Sequence, residues 1–196
     1  MSTVTAPVDE GRVRVWDDEP LRRRRLAVLL RLPLFVPPLV VVALWSALAV
    51  PAVVLGWVVL LIAGRMPVRV YGFLAAYIRY VGQASAWFHL LSGRYPSVRH
   101  AREHPFTIEL PGRAPQPRLV TLFRAPLALP AVILASAFRV VLALAAFAAW
   151  FVALALGRTT AGLQELGTFC LRYELETNAY VLLVSSRYPR VSPAPE

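Results

Sequence analysis

The chain has 196 residues, of which 58% are hydrophobic and only 16% are charged. A soluble domain carries about 25% charged residues, so this composition predicts an integral membrane protein. The 21 basic residues are all arginine and outnumber the 11 acidic ones, which gives a net charge of +10. The apolar content excludes a disordered chain, and the single cysteine, Cys170, excludes a disulfide scaffold. Arginines scattered among long apolar runs argue against a nucleic-acid partner.

The sequence repeats at an offset of 93 residues, so that Arg31 corresponds to Arg124. The two copies align without insertion or deletion. A repeat of this kind indicates two copies of one structural unit. We predict an N-terminal tail (1–10), a first copy (11–98), a linker (99–103), a second copy (104–191) and a C-terminal tail (192–196). The residues that define the repeat are Pro33, Trp57, Gly64, Tyr80, Tyr95 and Pro96 in the first copy and Pro126, Trp150, Gly157, Tyr173, Tyr188 and Pro189 in the second.

Each copy opens with a short segment in which apolar and polar residues alternate. The apolar positions are Val13 and Val15 in the first copy and Phe106, Ile108 and Leu110 in the second. Alternation with a period of two predicts half-buried β-strands. The two strands could pair with each other if the helices support them, because an isolated pair is only marginally stable.

A long apolar run follows in each copy, over residues 32–63 and 125–156. Each run has 32 residues, whereas one membrane span needs about 20. We therefore predict a transmembrane helical hairpin in each copy, with helices near 26–45 and 48–64, then 119–137 and 141–157. The alternative is one long tilted helix per copy, kinked by prolines at its start.

Three features favour the hairpins. Arg139 would lie near the bilayer centre of a single span, at a cost of about 2.5–3.5 kcal/mol, but at a hairpin tip it reaches the far headgroups. Its counterpart Ser46 precedes a small-residue stretch that ends at Pro51, which is compatible with a turn. Arginines flank the first run on both sides, so the positive-inside rule places both flanks in the cytoplasm and requires an even number of crossings.

A third helix is predicted in each copy, over Val70–Leu91 and Leu163–Val184. The second of these has a polar side chain at every fourth residue from Gln164 to Glu176, which is one stripe of a helix. We interpret both as amphipathic helices in the membrane interface. The sequence thus predicts an all-α integral membrane protein of two tandem repeats, each with a short strand, a transmembrane helical hairpin and an amphipathic interfacial helix.

Side chains with catalytic potential are few. His100 and His104 form the H-x-x-E-H pattern of inverted zinc metalloproteases, but Pro105 follows directly and disfavours a helix there. Cys170 falls on the apolar face of the third helix, where a small buried hydrophobe is the expected role. We therefore predict no enzyme activity and no catalytic, cofactor-binding or metal site.

The repeated arginines are the main candidates for a functional site. Arg79 and its counterpart Arg172 either contact headgroup phosphates, for which the planar guanidinium is well suited, or snorkel to water or cap the strand pair. Arg65 and Arg158 each follow a glycine, which indicates a helix stop with a cationic anchor. The full set of predicted headgroup contacts is Arg22, Arg23, Arg24, Arg25, Arg65, Arg79, Arg158 and Arg172.

The order of these motifs resembles a known family. Gly64-Arg65 after a tryptophan-containing span, Arg79-Tyr80 in the next helix and a closing Tyr95-Pro96 resemble the uncharacterised bacterial membrane family called domain of unknown function 4389. The resemblance covers nearly the whole chain as two tandem copies, although the second has Thr159-Thr160 in place of Met66-Pro67. It implies a membrane protein with no established activity, and it supplies no catalytic residues.

We expect a non-enzymatic membrane protein that acts as a scaffold or accessory subunit and contacts anionic phospholipids through cytoplasmic arginines. The expected location is the bacterial cell membrane, with several crossings and both termini in the cytoplasm, and a membrane protein is a further candidate partner. One alternative is a small transporter or channel component, which would rely on the few polar groups of the spans, Ser46, Ser136 and Arg139. Another is a membrane peptidase that uses His100 and His104.

Overall fold

The computed structural model describes residues 14–17, 28–97 and 106–191. The predicted tails (1–10 and 192–196), the linker (99–103) and Arg22 to Arg25 lie outside the described residues. Two strands and six helices are present in the described part. They are β1 (Arg14–Asp17), α1 (Arg31–Leu34), α2 (Val36–Ala63), α3 (Val68–Phe88), β2 (Phe106–Glu109), α4 (Arg118–Leu122), α5 (Arg124–Leu156) and α6 (Ala161–Val181).

Each copy contains one continuous long helix where we predicted a helical hairpin. Helix α2 passes through Ser46 and helix α5 passes through Arg139, so the predicted helix pairs 26–45 with 48–64 and 119–137 with 141–157 are wrong. Neither site has a neighbouring glycine, asparagine or aspartate that would favour a turn. The Ser46 hydroxyl donates to the Val42 carbonyl of its own helix over 2.7 Å, so it is satisfied without a turn. The alternative of one long helix per copy is confirmed.

Both long helices end at a glycine, as the sequence predicts. Gly64 and Gly157 have φ angles of 68° and 69°, in the left-handed region that favours glycine. Their backbone N–H groups donate to Leu60 and Ala153 over 2.8 and 2.9 Å, which closes the last helical turn. The chain then reverses direction within four residues and enters α3 or α6.

The predicted third helices are present, although each begins two residues earlier and ends three residues earlier than expected. They end early because Leu90 and Leu183 adopt left-handed φ angles of 65° and 64°. In the first copy, Leu91 N–H then donates to the Ala86 carbonyl over 2.9 Å, which is the pattern of a Schellman motif with leucine at the position usually held by glycine.

The central layer of the fold consists of α3 and α6. Helix α3 contacts α2, α6 and β2, while α6 contacts α5, α3 and β1. The main apolar core lies among these elements and contains Leu74, Ile78, Leu171, Leu175 and Ile108. On α3, Tyr77 and Tyr80 contact the long helix α2, whereas Arg79 and Gly82 lie against β2 on a different face. The long helices and the strands therefore pack on different faces of the central layer.

The predicted pairing of the two strands is confirmed. Strands β1 and β2 are antiparallel, with Val15 opposite Ile108. These two positions are 93 residues apart, so each is the repeat counterpart of the other. Strand formation therefore joins the two copies directly.

Candidate membrane-contact and lipid-contact sites

The long helices carry most of the exposed apolar surface. Segments Arg31–Ala63 and Arg124–Leu156 have 33 residues each, and their most apolar 18-residue windows have mean hydropathies of 2.5 and 2.3, which makes both long and apolar enough to cross a membrane. Only 17% and 22% of their most apolar windows are buried, whereas the core helix of a soluble protein is mostly buried. Side chains more than half exposed include Leu32, Val36, Leu44, Leu48, Val54, Ile62, Leu129, Ile133, Leu144, Phe147, Phe151 and Leu156.

A buried arginine begins the long helix of the first copy. Arg31 Nη2 donates to the Ser92 carbonyl over 3.0 Å, Nη1 donates to the Trp87 carbonyl, and the guanidinium lies 4.9 Å from the centre of the Trp87 ring. The last carbonyls of a helix have no partner within it. Arg31 therefore caps the end of α3 and ties it to the start of α1.

The second copy repeats this arrangement with Arg124 and Tyr180. Arg124 Nη1 donates to the Tyr180 carbonyl over 3.0 Å, and the guanidinium lies 4.5 Å from the centre of the Tyr180 ring. Its Nη2 donates to Gln116 Oε1 over 2.8 Å, and Gln116 Nε2 in turn donates to the Leu183 carbonyl over 2.8 Å. We call Arg31 with Trp87, and Arg124 with Tyr180, the arginine clamps.

Each clamp lies inside a region that matches a known family. The sequence model of the family described as Domain of unknown function (DUF4389) matches residues 25–98 and 118–192. The chain belongs to this family. Because the two matched regions begin 93 residues apart, the match confirms the tandem copies. No match was found among curated proteins or solved structures.

The repeated tyrosines of the two DUF4389 copies have equivalent surroundings. Tyr95 packs edge-on against Trp87 with ring centres 5.2 Å apart, and Tyr188 packs edge-on against Tyr180 at 5.5 Å. The buried Tyr80 and Tyr173 contact the rings of Trp45 and Phe138 on the long helices, at 5.8 and 5.0 Å. Trp57 Nε1 donates to the Thr121 carbonyl over 2.9 Å, which joins the long helix of the first DUF4389 copy to the second.

Arg79 and Arg172, the first candidates for headgroup contact, lie in the central layer. Arg79 Nε donates to the Ile108 carbonyl over 3.3 Å, so it contacts the strand pair, in line with the predicted alternative of an arginine that caps this element. Arg172 is half-buried, and its guanidinium lies 5.5 Å from the centre of the Phe169 ring. Arg79 thus links α3 to β2, whereas the contact of Arg172 with Phe169 lies within α6.

Arg65 and Arg158 follow the glycines that end the long helices, and both are exposed. They lie at the positions of the predicted cationic anchors. Each follows the end of a long helix, whereas Arg79 and Arg172 lie within the helices of the central layer. Arg22 to Arg25, the remaining predicted headgroup contacts, lie outside the described residues.

The polar side chains near the middle of the long helices bond to other parts of the protein. Arg139 Nη2 forms an ion pair with Glu174 Oε1 at 2.8 Å, across to α6. Its repeat counterpart Ser46 hydrogen-bonds to the Tyr77 hydroxyl over 2.7 Å, across to α3. In each copy, the side chain at this repeat position (46 or 139) thus links the long helix to the central-layer helix of the same copy. The predicted role of Arg139, to reach the far headgroups from a hairpin tip, is wrong.

Two similar apolar grooves lie where the copies meet. One, of about 270 Å³, lies between the start of the first long helix and the later half of α5, where Arg31 and Phe147 line it. The other, of about 360 Å³, lies between the later half of α2 and the start of α5, where Val54 and Arg124 line it. Arg31 and Phe147 are the repeat counterparts of Arg124 and Val54, so the grooves are equivalent.

His89 follows α3 and lines the first groove. Its Nδ1 lies 2.8 Å from the Ser85 carbonyl. Burial lowers the pKa of His89 below its ordinary value, and this effect outweighs the opposing contributions of the Ser85 hydrogen bond and Glu174. The neutral imidazole is therefore the favoured form at pH 7.

The remaining candidates have no catalytic surroundings in the described structure. Cys170 is buried, as predicted, and burial raises the pKa of its thiol. His100 and His104 lie outside the described residues. Among the residues that the structure describes, no three His, Cys, Asp or Glu side chains could hold a metal ion together.

Sequence reasoning missed the arginine clamps. Arg31 and Arg124 were recognised only as positions of the repeat. The available signal was that both copies have an aromatic residue 56 positions after the arginine, because Trp87 and Tyr180 are also repeat counterparts. The signal is weak by itself, since nothing in the sequence shows that the end of α3 meets the start of α1.

Proposed function

We propose that this protein is a non-enzymatic protein of the bacterial cell membrane that acts as a scaffold or accessory subunit. Its arginines contact anionic phospholipids on the cytoplasmic side, and both termini lie on that side. The observation that carries the proposal is the large exposed apolar surface of the two long helices. A surface of this size marks an interaction site, and a lipid acyl layer matches its chemistry along the entire length.

The charge distribution supports contact with anionic lipid. The chain has a net charge of +10, and Arg65 and Arg158 are exposed immediately after the apolar helices. Basic residues near a negatively charged leaflet contribute about 1 kcal/mol each, which corresponds to roughly fivefold in affinity. Arginine also offers a planar fork that matches a phosphate.

Vesicle binding tests the lipid contact. Full-length protein in detergent is diluted into phosphatidylcholine vesicles with or without phosphatidylglycerol, and the bound fraction is measured at several salt concentrations. Arg65→Gln with Arg158→Gln is expected to reduce the preference for phosphatidylglycerol by roughly fivefold per residue. Arg65→Lys with Arg158→Lys is the matched control that keeps the charge. Equal preference in all three proteins would refute the headgroup contact at these two positions.

Purification in native-lipid nanodiscs tests the scaffold role. Mass spectrometry of the purified particles identifies the proteins and lipids that remain bound. A stoichiometric protein partner supports the accessory-subunit role, and enriched anionic lipid without a protein supports lipid organisation. Particles with neither a partner nor enriched lipid would contradict the proposal.

Each copy has one long helix in place of the expected hairpin. The expected multi-pass arrangement with both termini in the cytoplasm depended on two hairpins, each of which returned the chain to its starting side. With one long helix per copy, each helix either crosses the bilayer once or remains within one leaflet.

A further inference from the structure

The two copies run in opposite directions. Val28 and Leu90, at the start of the first long helix, pack against Ala149 and Ala153, near the end of α5. At the other end of the molecule, Trp57 Nε1 donates to the Thr121 carbonyl just before α5 begins. The start of each long helix thus lies against the end of the other, and α2 and α5 are antiparallel.

Two pairs of repeat counterparts touch each other. Val15 pairs with Ile108 across the strands. In the central layer, a Cβ at Gly82 would lie 3.0 Å from Leu175 Cδ2, and 175 is the counterpart of position 82. A position contacts its own counterpart only close to a two-fold axis. The axis that relates the copies therefore passes through the strand pair and through the contact between α3 and α6.

This axis is perpendicular to the long helices, because a two-fold rotation reverses the direction of a helix only when the axis is perpendicular to it. Only two orientations in a membrane preserve the equivalence of the copies. If the axis lies in the membrane plane, α2 and α5 cross the bilayer in opposite directions. If the axis lies along the membrane normal, both helices lie flat in one leaflet.

The path of the chain between the copies is incompatible with crossing. Tyr95 Oη donates to the Leu34 carbonyl at one end of the molecule. Ser97 N–H then donates to Gln83 Oε1 in the last third of α3, and Arg113 Nη1 donates to the Met66 carbonyl at the other end. Crossing helices would force this segment through the bilayer as well. Residues 110–117, which complete that path, form no helix or strand, and exposed irregular backbone does not occur within hydrocarbon.

The position of the charged side chains also disfavours crossing. Arg79 donates to Ile108, which lies at the axis, and Arg139 pairs with Glu174, which directly precedes the axis residue Leu175. If the axis lay in the membrane plane, these groups would lie near the middle of the bilayer, where charges are costly. If the axis lies along the membrane normal, the strands and the central layer lie on the water side of the long helices.

The helix dimensions agree with the flat orientation. Helix α5 has 33 residues and is about 50 Å long, whereas the hydrocarbon core is about 30 Å thick. Crossing would require a tilt of roughly 53°, beyond the usual range of about 0–40°. A helix about 10 Å in diameter fits within the hydrocarbon of one leaflet, about 15 Å thick.

We propose that both long helices lie within the acyl layer of a single leaflet, and that the central layer and the strand pair cover them on the cytoplasmic side. The inference rests on the proposed membrane function and specifies how the apolar surface is used. One face of the molecule contacts lipid, the opposite face contacts water, and no segment of the described chain reaches the far leaflet.

Cysteine labelling at the two ends of the molecule tests this proposal. Gly112 lies beside the Arg113–Met66 contact and Gly162 lies at the start of α6; each is exposed, and a Cβ there would have no neighbour within 4 Å. Gly112→Cys and Gly162→Cys, each in a Cys170→Ala background, are treated with a membrane-impermeant maleimide in intact cells and in inside-out vesicles. We expect both sites to react only in inside-out vesicles. If one site reacted in intact cells and the other only in inside-out vesicles, the proposal would be overturned.

Depth measurement provides a second readout that does not depend on those sites. Spin labels at the exposed positions Leu32, Leu48 and Ile62 report the start, middle and end of the first long helix. The flat orientation predicts similar depths at all three, and a deep middle between two shallow ends on opposite sides would overturn it. Extraction of the protein from membranes by alkaline carbonate would instead refute the proposed membrane function, so the two failures are distinguishable.

Discussion

Arg31 and Trp87 form the same contact in the first copy that Arg124 and Tyr180 form in the second. In both, the guanidinium stacks on the aromatic ring and donates to the backbone carbonyl of the same residue. The contact lies where a helix of the central layer ends and a long helix begins. It adds a charged donor to carbonyls that already accept a backbone N–H at the end of the central-layer helix, and it ties that helix to the start of the long helix.

Removal of an arginine clamp is expected to destabilise the fold. Arg31→Gln or Arg124→Gln removes hydrogen bonds from a buried charged donor, each worth about 1.5–3 kcal/mol. We expect a decrease of several degrees in Tm, measured in detergent by intrinsic fluorescence. Arg69→Gln, at an exposed position of α3, is the control and should change stability by less than about 0.5 kcal/mol. Equal Tm values for Arg31→Gln and Arg69→Gln would contradict the assigned role.

The contact between α3 and α6 is close at Gly82. A Cβ at Gly82 would collide with Ile108 and lie 3.0 Å from Leu175 Cδ2. We expect Gly82→Ala to decrease the free energy of unfolding, because the overpacking cost of about 1–3 kcal/mol outweighs the gain of about 0.5–1 kcal/mol in helix propensity.

A matched control is available in the same helix. At Gly72 a Cβ has no neighbour within 4 Å, so Gly72→Ala is expected to stabilise the protein by about 0.5–1 kcal/mol through helix propensity. Denaturant titration of both variants measures the difference. If the two substitutions changed the free energy of unfolding in the same direction, the close approach at Gly82 would not be the determining feature.

Stability is expected to decrease in mild acid because of His89. Burial lowers the pKa of this histidine below its ordinary value of 6.5, so the unfolded chain binds a proton at a higher pH than the folded protein does. The stabilisation by neutral His89 is complete above pH 6.5 and is lost as the pH falls from there towards the lower folded pKa.

Tm measured against pH tests this expectation. His89→Gln is expected to reduce the decrease in Tm between pH 7 and the onset of carboxylate protonation, since glutamine does not titrate. The pH profile of the wild-type protein serves for comparison. An unchanged slope in His89→Gln would assign the pH dependence to other groups.

Reconstituted vesicles are expected to show no ion or solute flux above that of empty vesicles. The polar groups of the long helices bond within the protein: Ser46 to Val42, Ser136 to Val132 and Arg139 to Glu174. A transport route requires polar groups that face a pathway. Flux that Arg139→Ala abolishes would favour the transporter alternative and contradict the scaffold proposal.

The sequence by itself determined the repeat, the ends of the long helices and two strands that could pair. These features depend on local chemistry or on periodicity. Gly64 and Gly157 end helices because glycine tolerates the left-handed conformation, and the alternation around Ile108 is that of a half-buried strand. The third helices were predictable for the same reason, to within three residues at each end.

Only the tertiary structure decided between a hairpin and a single long helix. An apolar run has the same hydropathy in both, and the role of the one polar position within it depends on distant residues. Arg139 is compatible with a continuous helix because Glu174 of α6 neutralises it, and Ser46 because Tyr77 of α3 bonds to it. The arginine clamps and the antiparallel order of the copies are likewise contacts between residues far apart in the chain, and local sequence patterns do not encode such distances.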